Sequence, residues 1–338
     1  MQKSILRSAA VLTSAVLAGA VITGISPAMA AQSSDCSATE LKLPAGTPTN
    51  NTFASMSASD PTARYQVGHL QLPDVTFEPV FWTDGEPQVL EPLPGSRTSL
   101  IDVNSHGTVL GSTEDAEGAA QPWLYSHGTV RKLTGPAGMD YVSVRALNER
   151  GDVVGNGLDK ATGVSSPIVW PAGGKPRRLL ADNSSSAADI SDNGVVVGSV
   201  STEEIGLGMI WARWDRKGLP VRGEAGASVD LTEIRGNSFV GIQSFKDGHV
   251  GGGRWNTQST KVVSYPNVVD GVNSSGDVAY SDETGTTVVV RPDGTQYPID
   301  AVGFNTVRYL FERGQQYDAA GERDYGFSQA ILWSGCAS

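Results

Sequence analysis

The chain has 338 residues, of which 40 are glycine and 39% are hydrophobic, and it carries a formal net charge of −11. An acidic surface of this kind disfavours nucleic acid and anionic membranes as partners, because both would repel it. The glycine content and the charged fraction of 18% are typical of a turn-rich all-β protein.

The first 30 residues have the features of a secretory signal peptide. Lys3 and Arg7 give a basic start, an apolar run follows, and Ala28-Met29-Ala30 has the A-x-A pattern of a cleavage site. A retained membrane anchor is the alternative. No later segment is long and apolar enough to cross a bilayer. We therefore expect a secreted, extracellular protein without membrane insertion, with one domain at 31–338.

One sequence pattern recurs about every 43 residues through the rest of the chain. It consists of an apolar residue, Asn-x-x-Gly-x-Val-x-Gly, a loop, and an apolar run that ends in Trp. Clear copies begin at Val103, Leu147, Ile190 and Val272, and degenerate copies begin at Met56, Ile234 and Leu310. The Trp run ends at Trp82, Trp123, Trp170, Trp211, Trp255 and Trp333, and Val288-Val289-Val290 takes its place in the remaining copy. A repeat of this length indicates stacked structural units.

Each repeat predicts four short antiparallel strands, which we label A to D from the first to the last. Asn-x-x-Gly tolerates positive φ and predicts a hairpin, and the flanking Val, Ile, Leu and Trp suit strands. In the clearest copy the strands fall at 144–148, 152–157, 166–171 and 177–180. Seven such sheets bury their faces if they stack radially, so the sequence predicts a single seven-bladed β-propeller. A β-solenoid or a pair of β-sandwiches is the alternative.

The two ends of the chain predict how the ring closes. Trp333 belongs to a C-strand that no D-strand follows, and the segment after Cys36 is similar to the internal D-strand at 129–134. We therefore expect the amino-terminal strand to complete the last blade. Cys36 and Cys336 are the only cysteines, and closure would place them side by side as a disulfide. Free thiols or pairing between chains are the alternatives; we expect a monomer.

The repeat resembles a known bacterial family. Leu147-Asn148-Glu149-Arg150-Gly151-Asp152-Val153-Val154-Gly155, followed by Ile168-Val169-Trp170, is similar to the extracellular repeats called HAF repeats. The similarity covers residues 38–336 and is eroded around 231–241 and 307–318. It implies a secreted β-propeller and brings no catalytic residues with it.

Propeller geometry predicts two different faces. The short A–B and C–D turns would form a uniform turn face, and the B–C and D–A connections would form a variable loop face. Irregular loops on a rigid scaffold are common binding sites, and every B–C loop here carries an acidic residue. Glu114, Asp115 and Glu117 are the candidates for a Ca²⁺ site, with solvated loop charge as the alternative; no other cofactor is expected.

The A-strands should line a central channel. The channel candidates for catalysis are Asp102, Asp189, Glu233 and Asp270, and those for ligand binding are Arg145, Arg308 and Tyr309. Trp214 is a further candidate, as a stacking platform for a sugar. Apolar residues in these strands recur at a spacing of three, which indicates a bulge that decides which side chains face the axis. A hydrated channel crossed by ion pairs between blades is the alternative.

Two functions follow from these patterns. The first is a non-catalytic binding protein that recognises an extracellular protein or glycan through its acidic loop face. The second is a secreted hydrolase or lyase that uses the channel carboxylates. The sequence has none of the local motifs of zinc or nucleophilic catalysis.

Overall fold

The computed structural model describes residues 36–336, apart from 49, 91–95, 283, 300–303 and 325–327. The predicted signal peptide therefore lies outside the described residues. Within the described part of the chain, no helix has the length and hydropathy needed to cross a membrane.

The described residues form seven four-stranded antiparallel sheets, which are the blades of a β-propeller as predicted. In each of the first six, the four strands follow one another in chain order. Blade 1 contains β2 (Phe53–Ser59), β3 (Tyr65–Gln71), β4 (Phe77–Thr83) and β5 (Glu86–Val89). Blade 2 contains β6 (Ser96–Val103), β7 (Val109–Glu114), β8 (Ala120–Ser126) and β9 (Thr129–Lys132). Blade 3 contains β10 (Met139–Leu147), β11 (Val153–Asp159), β12 (Ser165–Trp170) and β13 (Arg177–Arg178).

The next three blades repeat this order. Blade 4 contains β14 (Ser185–Ile190), β15 (Val196–Ser201), β16 (Gly206–Trp211) and β17 (Leu219–Val221). Blade 5 contains β18 (Ser228–Arg235), β19 (Ser238–Ser244), β20 (Val250–Asn256) and β21 (Ser259–Tyr265). Blade 6 contains β22 (Val269–Val272), β23 (Val278–Ser281), β24 (Thr287–Val290) and β25 (Gln296–Ile299).

Blade 7 joins the two ends of the chain. It combines β26 (Phe304–Leu310), β27 (Ala319–Asp324) and β28 (Ser328–Ser334) with the amino-terminal strand β1 (Ser37–Glu40). Ala38 lies opposite Trp333 in the β1–β28 ladder, and Cys36 and Cys336 form a disulfide beside it. The predicted closure and the predicted cysteine pairing are both confirmed.

In four blades the recurrent Trp connects its blade to the one before it. Its ring is buried, and its Nε1–H donates to a carbonyl that follows the outermost strand of the preceding blade. The pairs are Trp82 with Lys42, Trp170 with Thr134, Trp211 with Leu180 and Trp255 with Arg222, at 2.7–2.9 Å. For Trp333 the corresponding segment falls at 300–303, outside the described residues. In blade 2 the expected Trp position is wrong by two residues: Tyr125 lies opposite Val109, where the other blades except blade 6 have Trp, and Trp123 lies opposite Gly111.

The recurrent Asn holds both its own hairpin and the next blade. Asn148 Oδ1 accepts the backbone N–H groups of Arg150 (3.1 Å) and Asp152 (2.9 Å), which fixes the turn. Its Nδ2 donates to the carbonyl of Ser191 in the following blade at 3.0 Å. The same cross-blade bond runs from Asn104 to Asn148 and from Asn273 to Phe311.

Every innermost strand contains a bulge at the same place, where one residue has no partner on the second strand. These residues are Ser57, Ile101, Arg145, Ala188, Thr232, Asp270 and Arg308. The glycine that ends the motif lies opposite the bulge in six blades. A Cβ on any of these glycines would lie 1.9–2.8 Å from a carbonyl oxygen of the inner strand. In these six blades the close approach of the bulged inner strand therefore explains why the motif closes on Gly.

Blade 6 lacks both the Trp and this glycine, and the two changes fit together. Tyr280 stands at the glycine position, opposite Val269. Its ring packs against Tyr265, with 5.8 Å between centroids, in a buried cluster that includes Val290 at the Trp position. Two tyrosine rings thus supply the aromatic packing that one Trp supplies elsewhere.

Candidate functional site

The bulges set two layers of side chains around the axis. The bulged residues line the mouth of the channel that opens on the loop face. The residues that follow them lie one step deeper and are Ala58, Asp102, Ala146, Asp189, Glu233, Gly271 and Tyr309. The sequence indicated a bulge here, and the structure gives its position in every blade.

A cluster of charged groups narrows the middle of the channel. Arg235 Nη1 lies 2.7 Å from Asp189 Oδ2, and its Nη2 lies 3.0 Å from Glu233 Oε1. The guanidinium carbon sits 4.9 Å from the ring centroid of Tyr309, a cation–π contact. With Asp102 these residues form what we call the central cluster. Asp102, Arg235 and Tyr309 line both a cavity of about 340 Å³ toward the loop face and one of about 240 Å³ toward the turn face.

Two of the channel acids connect neighbouring blades. Asp102 Oδ2 accepts the backbone N–H of Leu147 in blade 3 at 2.7 Å. Asp189 Oδ2 accepts the N–H of Ile234 in blade 5 at 2.8 Å. Each carboxylate also accepts the N–H of the next residue in its own strand. Their oxygens are thus used by the backbone, which is the role of a structural connector.

The Glu233 carboxylate accepts fewer hydrogen bonds than those of Asp102 and Asp189. Its Oε2 accepts the N–H of Val272 in blade 6 at 3.3 Å. Its Oε1 faces Arg235 within ion-pair distance but makes no hydrogen bond with adequate geometry among the described residues. Glu233 therefore has an acceptor oxygen that the structure does not use fully.

Burial shifts the protonation of the central cluster. Burial raises the pKa of Asp102 to about 7, although the Leu147 and Val103 N–H groups and the charge of Arg235 lower it. Burial also raises the pKa of Glu233 to about 7, against the charge of Arg235. Since both carboxyls titrate near neutral pH, the charge of the channel depends on pH in that range.

The loop-side mouth carries the arginines predicted for ligand binding. Arg145 and Arg308 stand on blades 3 and 7, on opposite sides of the axis. Arg308 Nε lies 3.4 Å from Glu322 Oε1, which also accepts the Ser55 hydroxyl at 2.7 Å. Arg145 is exposed and makes no ion pair within the described part of the chain.

Asp270 belongs to this mouth rather than to the central cluster. Its Oδ2 accepts the Ser281 hydroxyl at 3.3 Å. Burial raises its pKa to about 6, although the Ser281 hydrogen bonds and the charge of Arg308 lower it. The four acids predicted as catalytic candidates are therefore divided between two levels of the channel.

The turn-side mouth is acidic. Glu149, Asp192 and Glu312 line it. Glu149 accepts the Ser105 N–H and Asp192 accepts the Glu149 N–H, at 3.0–3.2 Å, so these acids also join adjacent blades. The two mouths differ in the charge of their exposed groups, with arginine on the loop side and carboxylate on the turn side.

The acids of the B–C loops stabilise their own turns. Asp115 Oδ1 accepts the N–H groups of Glu117 and Ala119 at 3.1 and 2.8 Å. Glu114 instead lies near Arg97, with 3.8 Å between Oε2 and Nη1. Within the described residues no three His, Cys, Asp or Glu side chains are grouped as metal ligands would be, so the three Ca²⁺ candidates do not form such a group.

Trp214 lies on the turn face, away from Arg145 and Arg308 of the loop-side mouth. It is half-buried, and its Nε1–H donates to the Gly194 carbonyl at 2.8 Å. The ring packs against the A–B hairpin of blade 4, which leaves only part of its surface open to a ligand.

Three residues of interest were missed from the sequence. Arg235 occupies the Asn position of a degenerate repeat, and its side chain reaches the axis. Tyr141 and Arg97 project from the loop face. Tyr141 is 81% exposed, and the Arg97 side chain is 82% exposed. Both have positive φ, 48° and 46°, which is uncommon for residues other than glycine.

No protein family model matches this chain, and no curated protein sequence matches it. Solved structures do match its fold. The β-propeller domain of the Trilobed protease from Pyrococcus furiosus aligns with a TM-score of 0.58 at 13% identity, covering 83% of this chain and 95% of that one. YCF48 from Cyanidioschyzon merolae aligns with a TM-score of 0.54 at 12% identity, covering 88% and 98%.

A third match comes from a structural study of two prolyl endopeptidases. It has a TM-score of 0.56 at 12% identity and covers 85% of this chain but 47% of that one, so this chain spans about half the length of that protein. Sequence identities this low show the fold alone. The matches place this chain in the class of β-propellers, and the activities of the matched proteins do not transfer to it.

Proposed function

We propose that this chain is a secreted, non-catalytic binding propeller that recognises an extracellular protein or glycan on its loop face. The observation that carries the proposal is that the channel acids and the exposed arginine have different roles. The buried acids of the central cluster join blades, whereas Arg145 at the loop-side mouth is exposed and has no ion-pair partner within the described residues. A polar, concave mouth with an unused guanidinium suits recognition rather than chemistry.

Secretion and the assignment of the repeats to the HAF type are part of this proposal. The apolar segment before Ala31 and the motif from Leu147 to Gly155 support them. The Cys36–Cys336 disulfide is also compatible with an oxidising compartment.

Binding measurements on the exported protein test the proposal. The wild type is offered a panel of polysaccharides and the proteins of the culture medium, and bound species are measured with and without Arg145→Ala. We expect at least one specific ligand, whose affinity falls about tenfold or more in the variant. Arg177→Ala is the matched control, since Arg177 is exposed on the outermost strand of the same blade. The absence of any ligand that depends on Arg145 would contradict the proposal.

A second function, a hydrolase or lyase, is favoured by one observation. Glu233 has a raised pKa of about 7 and an oxygen without a well-formed hydrogen bond, features that a general acid needs. A screen of polysaccharide and ester substrates tests it, and Glu233→Gln should abolish any turnover found. Turnover that depends on Glu233 would replace the binding function.

A further inference from the structure

In two neighbouring blades the innermost strand carries a second bulge, which the innermost strands of the other five blades lack among the described residues. In blade 3 the register shifts between Asp140 and Ser143, and in blade 2 it shifts between Ser96 and Ser99. The residue with positive φ is Tyr141 in blade 3 and Arg97 in blade 2. The two sites occupy the same position of the repeat, four residues before the channel bulge of their strand.

The backbone conformation at both sites is unfavourable for these residue types. A left-handed conformation crowds the Cβ of a bulky residue, which is why glycine usually occupies it. Strained positions of this kind are concentrated at ligand sites. Here the strain turns a tyrosine ring and a guanidinium outward, and both stay more than four-fifths exposed.

These groups continue a strip of polar side chains that ends at the channel mouth. Arg145 follows Tyr141 by four positions on the same strand and lines the channel mouth. Between the two blades, Ser99 is exposed and Thr98 and Ser143 are half-buried. The strip therefore combines hydroxyl groups, an open aromatic ring and two guanidinium groups, on elements of a rigid sheet.

We propose that this strip, formed by Arg97, Tyr141 and Arg145, binds an anionic polysaccharide. The net charge of −11 repels anionic partners at long range, so the attraction must come from direct contact with the two guanidinium groups. The inference rests on the proposed binding function and specifies the chemical class of its ligand. Tyr141 would pack on the C–H face of a sugar ring, and the two arginines would hold carboxylate or sulfate groups of the same chain.

The composition of the strip favours a glycan over a protein. A stable protein interface has an apolar core that is closed to water. Apart from Tyr141 and the half-buried Val142, the strip presents hydroxyl and guanidinium groups. Two carboxylates lie beside it, Glu114 at 3.8 Å from Arg97 and Asp140 at 2.9 Å from Lys160. Sugars offer the matching hydroxyl groups and ring faces.

Alginate, chondroitin sulfate and dextran are suitable probes, because the first carries carboxylates, the second adds sulfate and the third is neutral. Affinity electrophoresis of the exported protein should show retardation by alginate or chondroitin sulfate and none by dextran. Added salt should weaken the retardation, since it screens exposed charge. Tyr141→Ala and Arg145→Ala should each weaken binding at least tenfold, and Arg177→Ala should leave it unchanged.

Tyr141→Gly distinguishes the contribution of the tyrosine ring from that of the backbone conformation, because glycine adopts the same positive φ without strain. It should lose affinity as Tyr141→Ala does while keeping the thermal stability of the wild type. The inference is overturned if neither anionic probe binds, or if binding survives loss of Tyr141 and Arg145. Binding of dextran or of a protein that still requires Arg145 would overturn this inference and leave the proposed function intact. If no ligand is found whose binding depends on Arg145, both this inference and the proposed function are wrong.

Discussion

Asp189 in blade 4 accepts the backbone N–H of Ile234 in blade 5 through the same carboxylate oxygen that contacts Arg235. The innermost strands of a propeller converge on the axis, where they do not pair with one another and their free backbone groups need partners. A carboxylate provides an acceptor that reaches across the gap. Asp102 does the same for Leu147, so the acidity of the channel has a structural cause.

Removal of the Asp189 carboxylate should therefore destabilise the protein strongly. Asp189→Ala leaves the N–H groups of Ile190 and Ile234 without this acceptor. It also leaves Arg235 Nη1 with one acceptor, the Ile234 carbonyl, in place of two. A broken buried network of this kind costs about 3–5 kcal/mol. Chemical denaturation followed by tryptophan fluorescence measures the loss.

Asp230→Ala is the control for that substitution. Asp230 is exposed, and its side chain makes no hydrogen bond or ion pair with any of the described residues. Its replacement should change the free energy of unfolding by no more than about 0.5 kcal/mol. Equal effects of the two substitutions would show that Asp189 is not a connector between blades.

The bulge makes a prediction about the glycine opposite it. In Gly155→Ala the new Cβ would lie 2.0 Å from the Ser143 carbonyl oxygen and 2.7 Å from the Val144 Cα. Both are backbone atoms that cannot move aside cheaply, so we expect a loss of about 3 kcal/mol. Thermal unfolding of the variant tests this expectation.

Gly173→Ala is the matched control within the same blade, because a Cβ there meets no atom within 4 Å. It should be neutral or slightly stabilising, through the lower entropy of the unfolded chain. If Gly155→Ala were as stable as this control, the bulge would not explain the glycine of the motif.

The repeat made the architecture predictable because its residues act between blades. Trp170 donates a hydrogen bond to the segment that follows blade 2, and Asn148 donates one to blade 4. Wherever such a residue recurs, the sequence indicates both a strand and the neighbour against which it packs. The two cysteines made ring closure predictable as well, since closing the ring brings Cys36 beside Cys336.

The site was less predictable because it lies where the repeat departs from its pattern. Arg235 replaces the Asn of the motif in a blade whose hairpin is short, so no side chain is needed to hold a longer turn. Its side chain is then free to enter the channel. At Tyr141 no glycine marks the left-handed backbone, and no local residue pattern indicates the second bulge.

The pKa of Glu233 predicts how stability depends on pH. Burial raises that pKa from 4.5 to about 7, so the folded state holds a proton that the unfolded state releases between these values. The stabilising contribution of this proton is present below about pH 4.5 and is lost as the pH rises through 7. Relative to Glu233→Gln, which cannot titrate, the wild type should lose up to about 1.4 kcal/mol per pH unit in this window.

Urea denaturation of both proteins at several pH values between 4.5 and 8 measures that difference. Comparison with Glu233→Gln removes the contributions of the exposed acids, which titrate in both proteins. A difference that stays constant over the range would contradict the raised pKa.

The disulfide predicts the order in which the ring opens. The strand β1 pairs with β28 through four residues only, and the cysteines are 300 positions apart in sequence. The chain-entropy model gives about 5–6 kcal/mol for so long a loop, and measured effects are nearer 2–5 kcal/mol. Replacement of Cys36 and Cys336 by Ser should lower stability by that smaller amount. Hydrogen exchange should then show that the amides of β1 lose protection before those of blades 2–5. Reduction of the wild type is the control and should reproduce both effects; unchanged protection of β1 in either protein would mean that strand pairing alone closes the propeller.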